Sequence, residues 1–142
     1  MDKASRIISG TWGEVWLDGV YVAEADGLQA KVSFNREQIR QCRKLTSGRK
    51  LMSIEGTGSL SMYKVTSRMA EALSKVKAGT DPAFTIISKL DDPDAYGAER
   101  IVLSGVTFDD LTLADWKVGE IGKVEAPFAF EDYELVDTIA ER

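Results

Sequence analysis

Three acidic clusters are the places in this chain where side chains could do chemistry: Asp91-Asp92-Pro93-Asp94, Asp109-Asp110, and Glu131-Asp132 with Glu134. Paired carboxylates can trade protons with a substrate or hold a hard cation, provided that they converge on one pocket. None of the three carries the spacing of a calcium loop with its closing Glu, so solvated turns and strand ends are the expectation. The chain has no histidine, which removes the commonest general base, the Ser-His and Cys-His nucleophile pairs and most zinc sites. Cys42 is the single cysteine, so no intramolecular disulfide can form, and its neighbours Gln41 and Arg43 supply no metal-ligand spacing. Gly56-Thr57-Gly58 lacks the third glycine of a dinucleotide fingerprint, and Ser47-Gly48-Arg49-Lys50 lacks the spacing of a phosphate loop. No catalytic residue, metal or cofactor is expected.

Positive charge is the chemical signal that remains. Between Arg36 and Lys50 stand six basic residues, Arg36, Arg40, Arg43, Lys44, Arg49 and Lys50, against the single acid Glu37, a local balance of +5 beside −10 for the rest of the chain. Such a segment can be a merely solvated hairpin tip, a grip on nucleic acid, or a projection that docks on an acidic surface. It contains no aromatic residue on which bases could stack, and the overall charge of −5 opposes tight wrapping of a phosphate backbone. Opposite charges on two parts of one chain instead allow identical copies to associate head to tail, which yields rings or filaments.

The elements that must position these residues follow from periodicity. At 142 residues, 44% hydrophobic, the chain is expected to form one domain over 1–142, mainly β with one α-helix. Glu14 to Ala23 reads as a hairpin around Asp18-Gly19. From Leu28 the residues alternate, with Leu28, Ala30, Val32 and Phe34 on one face and Gln29, Lys31, Ser33 and Asn35 on the other. A second alternating run puts Ile54, Leu60 and Met62 on one row and Glu55, Thr57, Ser59 and Ser61 on the other, with Gly56 and Gly58 marking a bend or a close backbone approach. The two runs are expected to pair around a long connection, residues 36–52. Thr66-Ser67 can cap a helix whose stripe is Met69, Ala72, Leu73 and Val76 and whose end is Gly79. It should cover one open face of a sheet, with the Leu28, Val32, Phe34 and Ile54, Leu60, Met62 rows in the core beneath it. Further strands are expected at 84–90, 99–108, 111–118 and 123–136, the last with Val124, Ala126, Phe128 and Phe130 on one side. Trp12, Trp16 and Trp116 read as core or subunit-interface residues. Met1-Asp2-Lys3 does not begin a signal peptide and no apolar stretch is long enough to span a bilayer, so a soluble chain that stays in the cytoplasm is expected.

Several phrases then resemble a known group. Gly56-Thr-Gly-Ser-Leu-Ser-Met-Tyr-Lys-Val-Thr-Ser67 resembles the strand entering the helix in tail tube proteins of contractile phages, PBSX-like prophages and phage-tail-like bacteriocins. So do Gly79-Thr-Asp-Pro82, Gly97-Ala-Glu-Arg100 leading into Gly105-Val-Thr-Phe-Asp109, and Pro127-Phe-Ala-Phe-Glu-Asp-Tyr133. Their order and spacing match from about Ile8 to Val136. The resemblance implies a β-sandwich or barrel-like fold with a flanking helix and a long hairpin loop. It further implies rings of six copies, stacked as a hollow tube inside a contractile sheath, and no catalytic residues. Residues 36–52 would then reach a neighbouring ring, while Gln29, Lys31, Ser33, Glu55, Thr57, Ser59 and Ser61 would face the channel. The implied partners are the chain itself, sheath, baseplate and tape-measure protein, with DNA only in transit and no membrane insertion. The implied location is the virion tail, assembled in the bacterial host cytoplasm. A secretion-system tube subunit, or a small nucleic-acid-binding or ligand-binding β module, is the alternative.

Overall fold

A computed structural model of the chain describes residues 4–140. Strands β1 (Gly13–Leu17) and β2 (Val20–Tyr21) turn through Asp18 and Gly19, whose φ values of 49° and 80° are both positive. That is the turn whose twist matches an antiparallel ribbon, which explains the Asp-Gly pair. The Asp18 carboxylate accepts a hydrogen bond from the backbone N–H of Thr85 at 2.7 Å, and the Asp18 N–H donates to the Thr85 carbonyl. The turn is thereby tied to β5 (Phe84–Leu90).

Two long strands follow β2, namely β3 (Ala25–Ile39) and β4 (Gly48–Tyr63), then α1 (Arg68–Ala72) and β5. β6 (Glu99–Phe108), β7 (Lys123–Phe130) and β8 (Asp132–Asp137) complete the fold. Every pairing is antiparallel, in the order β2-β1-β5-β6-β7-β4-β3, with β8 also on β6. β6 joins two layers: its first part pairs with β5 and β8, while Thr107 and Phe108 pair with β7. Gly105, with φ 63°, lies between Ser104, the last residue paired with β8, and Val106, which still pairs with Phe84 before the strand passes to β7. The Glu131 side chain occupies the space beside it, 3.0 Å from where a Cβ would stand. A residue with a side chain would be strained there twice over, so glycine is what lets β6 change layers.

The inward faces of both layers meet in one core. Val15, Leu17, Ile86 and Leu103 come from one layer, and Leu60, Met62, Ala126 and Phe128 from the other. Rings of Phe84, Phe108, Phe128 and Phe130 form a run with successive centroids 5.3, 6.0 and 6.3 Å apart. Space for Phe128 and Phe130 exists because β4 carries Gly58 and Gly56 opposite them: a Cβ at either glycine would overlap the facing ring. The close approach expected from these glycines is therefore of aromatic rings to backbone.

Several expected elements differ. The helix is shorter: α1 is followed by a turn and a short 3-10 segment, Val76–Ala78, before Gly79 at φ 92°. Ser67 makes no side-chain capping bond, and only Met69 and Leu73 of the stripe are buried, so nothing holds Val76 and a continuous helix down. Residues 111–118 form no strand, and 123–136 breaks at Glu131 into two strands that serve different layers. Asp92 is not a solvated turn residue. It is buried, and its carboxylate accepts N–H bonds from Ser9 and Asp94, both at 2.9 Å. Those bonds, Ser9's above all, hold its carboxyl below the ordinary value. Trp12 and Trp116 stand outside the core, while Trp16 is half-buried against Tyr21.

Candidate assembly surface

The β3–β4 pair carries the residues that sequence patterning singled out. Its register sets Gln29 opposite Ser59, Lys31 opposite Thr57 and Ser33 opposite Glu55, with Ser61 opposite Gly27. Residues directly opposite in an antiparallel pair point to the same side, so the seven residues Gln29, Lys31, Ser33, Glu55, Thr57, Ser59 and Ser61 share one polar face. Asn35 extends it, its side-chain N–H donating to Ser53 Oγ at 2.9 Å. The seven are not equally open. Ser59 and Ser61 are half-buried and line a depression with Asp110, Thr112 and Asp115. At this end Lys123 Nζ lies 3.0 Å from the Asp26 carboxylate. Hydrogen bonds from Ser61 and then Lys123 hold the Asp26 carboxyl below its ordinary value, while Asp26 raises Lys123.

The opposite face of the pair is apolar but only partly covered. Leu60 and Met62 are buried, and Leu28 and Val32 are half-buried against the core. Phe34 and Ile54, expected in the core beneath the helix, are 50% and 55% exposed. They extend the same alternation beyond the point where the second layer ends. Just past them the register shifts, with Asn35 facing Ser53 but Arg36 facing Leu51, which leaves Met52 unpaired as a bulge. Such an insertion bends a ribbon and increases its twist.

Beyond the bulge the two strands continue as an arm. Its connection is not the open stretch 36–52: β3 and β4 stay paired to Ile39 and Gly48, leaving 40–47 as the tip. Arg40, Arg43 and Lys44 lie in that tip, whereas Arg36, Arg49 and Lys50 are on the paired strands. Lys50 stands opposite Glu37, and the Arg36 guanidinium lies 5.3 Å from the centre of the Phe34 ring. Among the described residues none of these six basic groups is in an ion pair. Sequence patterning found the charge but missed the apolar side chains beside it, Leu45, Leu51 and Met52, all exposed. The signal was present as the Leu51-Met52 pair, which breaks strict alternation.

The strand edge is the remaining feature. Among the described residues β3 pairs with β4 alone, so the other edge of a 15-residue strand leaves its backbone groups open to a partner. An edge of that length invites another strand. Among the described residues no group of His, Cys, Asp and Glu side chains is placed to hold a metal ion, and no helix is long and apolar enough to cross a membrane.

Residues 2–137 match the family profile described as phage tail tube protein. The chain is 34% identical over 142 residues to the phage-like element PBSX protein XkdM of Bacillus subtilis (strain 168), covering 98% of this chain and 97% of that one. Its fold is similar to a chain of the sheath-tube complex of an extracellular contractile injection system in the extended state. The TM-score there is 0.76 at 9% identity, over 97% of this chain and all of that one. A chain of the anti-feeding prophage cap is similar too, with a TM-score of 0.75 at 13% identity, over 92% and 91% of the two chains. The mainly-β fold, the near-complete match to the family profile and the XkdM relative agree. This chain belongs to the phage tail tube protein family and is a structural component of a tail, not an enzyme.

Proposed function

We propose that copies of this chain close into rings, six to a ring, and that the rings stack into the hollow inner tube of a contractile tail. The observation that carries the reading is the β3–β4 ribbon, with an open 15-residue edge along its length and at its end an arm whose basic groups are, among the described residues, in no ion pair. The edge suits lateral closure, in which a neighbour's strand satisfies its backbone groups. The arm suits axial contact, because +5 on a projection and −10 on the body attract between copies. The polar face, Gln29 to Ser33 with Glu55 to Ser61, then lines the bore. Small polar side chains with little net positive charge do not hold a phosphate backbone by counterion release, so DNA or an extended tape-measure protein can slide past. Sheath and baseplate are the outer partners in this reading. It is supported by the fold likeness to a chain from a sheath-tube complex.

Reversing two arm charges, Arg43→Glu with Lys44→Glu, should leave the subunit folded by circular dichroism and abolish tubes in negative-stain micrographs. Tubes of normal length from the double variant would defeat the reading.

A further inference from the structure

Resting on the tube reading, we propose that segment 109–122 of one copy is the seat for the arm of the next copy along the stack. The segment joins β6 to β7 without strand or helix, and it presents Leu113, Trp116, Val118 and Ile121, each between 78% and 89% exposed. Four large apolar side chains left in water within nine residues form a patch, and such patches mark contact surfaces. Negative charge surrounds it. Asp109, Asp110, Asp115 and Glu125 are exposed and, among the described residues, in no ion pair. Of the four lysines that border the segment, Lys117 is engaged with Glu120 at 3.9 Å and Lys123 with Asp26 at 3.0 Å, while Lys64 and Lys77 leave the acidic groups in excess. The arm is the counterpart in both respects, since exposed Leu45, Leu51 and Met52 sit among unpaired Arg40, Arg43 and Lys44.

Placement decides which copy the arm can reach. β4 leaves the arm at Gly48 and ends at Tyr63, where the N–H of Lys64 donates to the Gly122 carbonyl at 2.8 Å. Fifteen residue steps at about 3.3 Å each set Tyr63 about 50 Å from Gly48, and Ser59, which lines the depression with Asp110 and Asp115, stands about 36 Å from it. Complementary surfaces at opposite ends of one paired strand do not meet within a subunit. They meet when a second copy is displaced along the strand direction, a head-to-tail contact that repeats without limit. The occupant of the seat is therefore another copy of this chain.

Cys42, the single cysteine and exposed on the arm tip, makes the contact readable. In Asp115→Cys, each copy carries one thiol on the arm and one on the seat. A short bis-maleimide added to assembled tubes should then give a ladder of dimers, trimers and higher species on a denaturing gel. Wild type should stop at dimers, and Glu134→Cys, on the exposed edge strand β8, should give no ladder. As a second readout, Asp110→Lys with Asp115→Lys should restore tubes to the Arg43→Glu, Lys44→Glu variant, all variants being folded by circular dichroism. Tubes that give no ladder from Asp115→Cys, or no restoration by the swapped charges, overturn the seat while leaving stacking intact. Wild-type samples without rings or tubes overturn both.

Discussion

Gly56 and Gly58 show how a single missing side chain serves the core. Each faces a phenyl ring across the β4–β7 pair, and at Gly58 a Cβ would also meet the Gln29 carbonyl. Because backbone cannot swing away as a flexible side chain can, Gly58→Ala should cost about 1–3 kcal/mol, the range for an overpacked site. Phe128→Ala, which empties the fully buried position opposite, should cost about 3–5 kcal/mol. Urea unfolding followed by circular dichroism measures both, and a Gly58→Ala protein as stable as wild type would refute the packing argument. A second residue-scale prediction concerns acid. Arg68 Nε lies 2.7 Å from the Glu24 carboxylate, which is little exposed, and that bond lowers the Glu24 pKa from 4.5. The folded protein thus binds this proton less readily than the unfolded chain. The resulting stability is fully present above the unfolded value and is lost as pH falls through the folded one. Glu24→Gln should therefore lower the urea midpoint at about pH 6 and lose less of it on acidification to about pH 3 than wild type does.

At the scale of elements, alternation marked which residues of β3 and β4 share a face, and the register joined both polar rows as expected. It did not tell where the body stops, because a period of two continues unchanged through Phe34 and Ile54 after the opposing layer has ended. Burial depends on what lies across from a strand, and that is not local information. The same limit explains segment 111–118, whose Leu113, Trp116 and Val118 look like strand residues yet have no neighbour to pair with. The helix fell short for a different reason: a stripe predicts the buried side but not how many turns the core will hold, and Met69, Leu73 and in part Ala72 find cover while Val76 does not. Asp92 was unreadable because its partner Ser9 is 83 residues away. The arm was legible by charge, though its pairing to Ile39 and Gly48 was not. That pairing predicts that trypsin cuts the free subunit first at Arg40, Arg43 or Lys44 in the unpaired tip, and later at Arg36 or Arg49. Mass spectrometry of the first fragments tests the order, and initial cleavage at Arg36 or Arg49 would contradict the paired arm.

For the whole molecule, two of the surfaces a subunit leaves unsatisfied have different directions. An open edge on β3 runs along the ribbon, and charge of opposite sign gathers at the ribbon's two ends. In the proposed tube, lateral closure and axial stacking would be separable events, one built on backbone hydrogen bonds and the other on charge and apolar contact. Salt should weaken the second more than the first, since exposed charges are screened within about 8 Å at physiological ionic strength. Rings that survive while tubes shorten as salt rises would show this in sedimentation profiles. Single-sign weakening of both together would contradict it.

The most direct measurement is electron microscopy of the purified chain, concentrated at low ionic strength and viewed end-on and from the side. Sixfold annular particles with a central hole, piled into tubes, are the expected images. Solitary compact particles at every concentration and ionic strength would contradict the account.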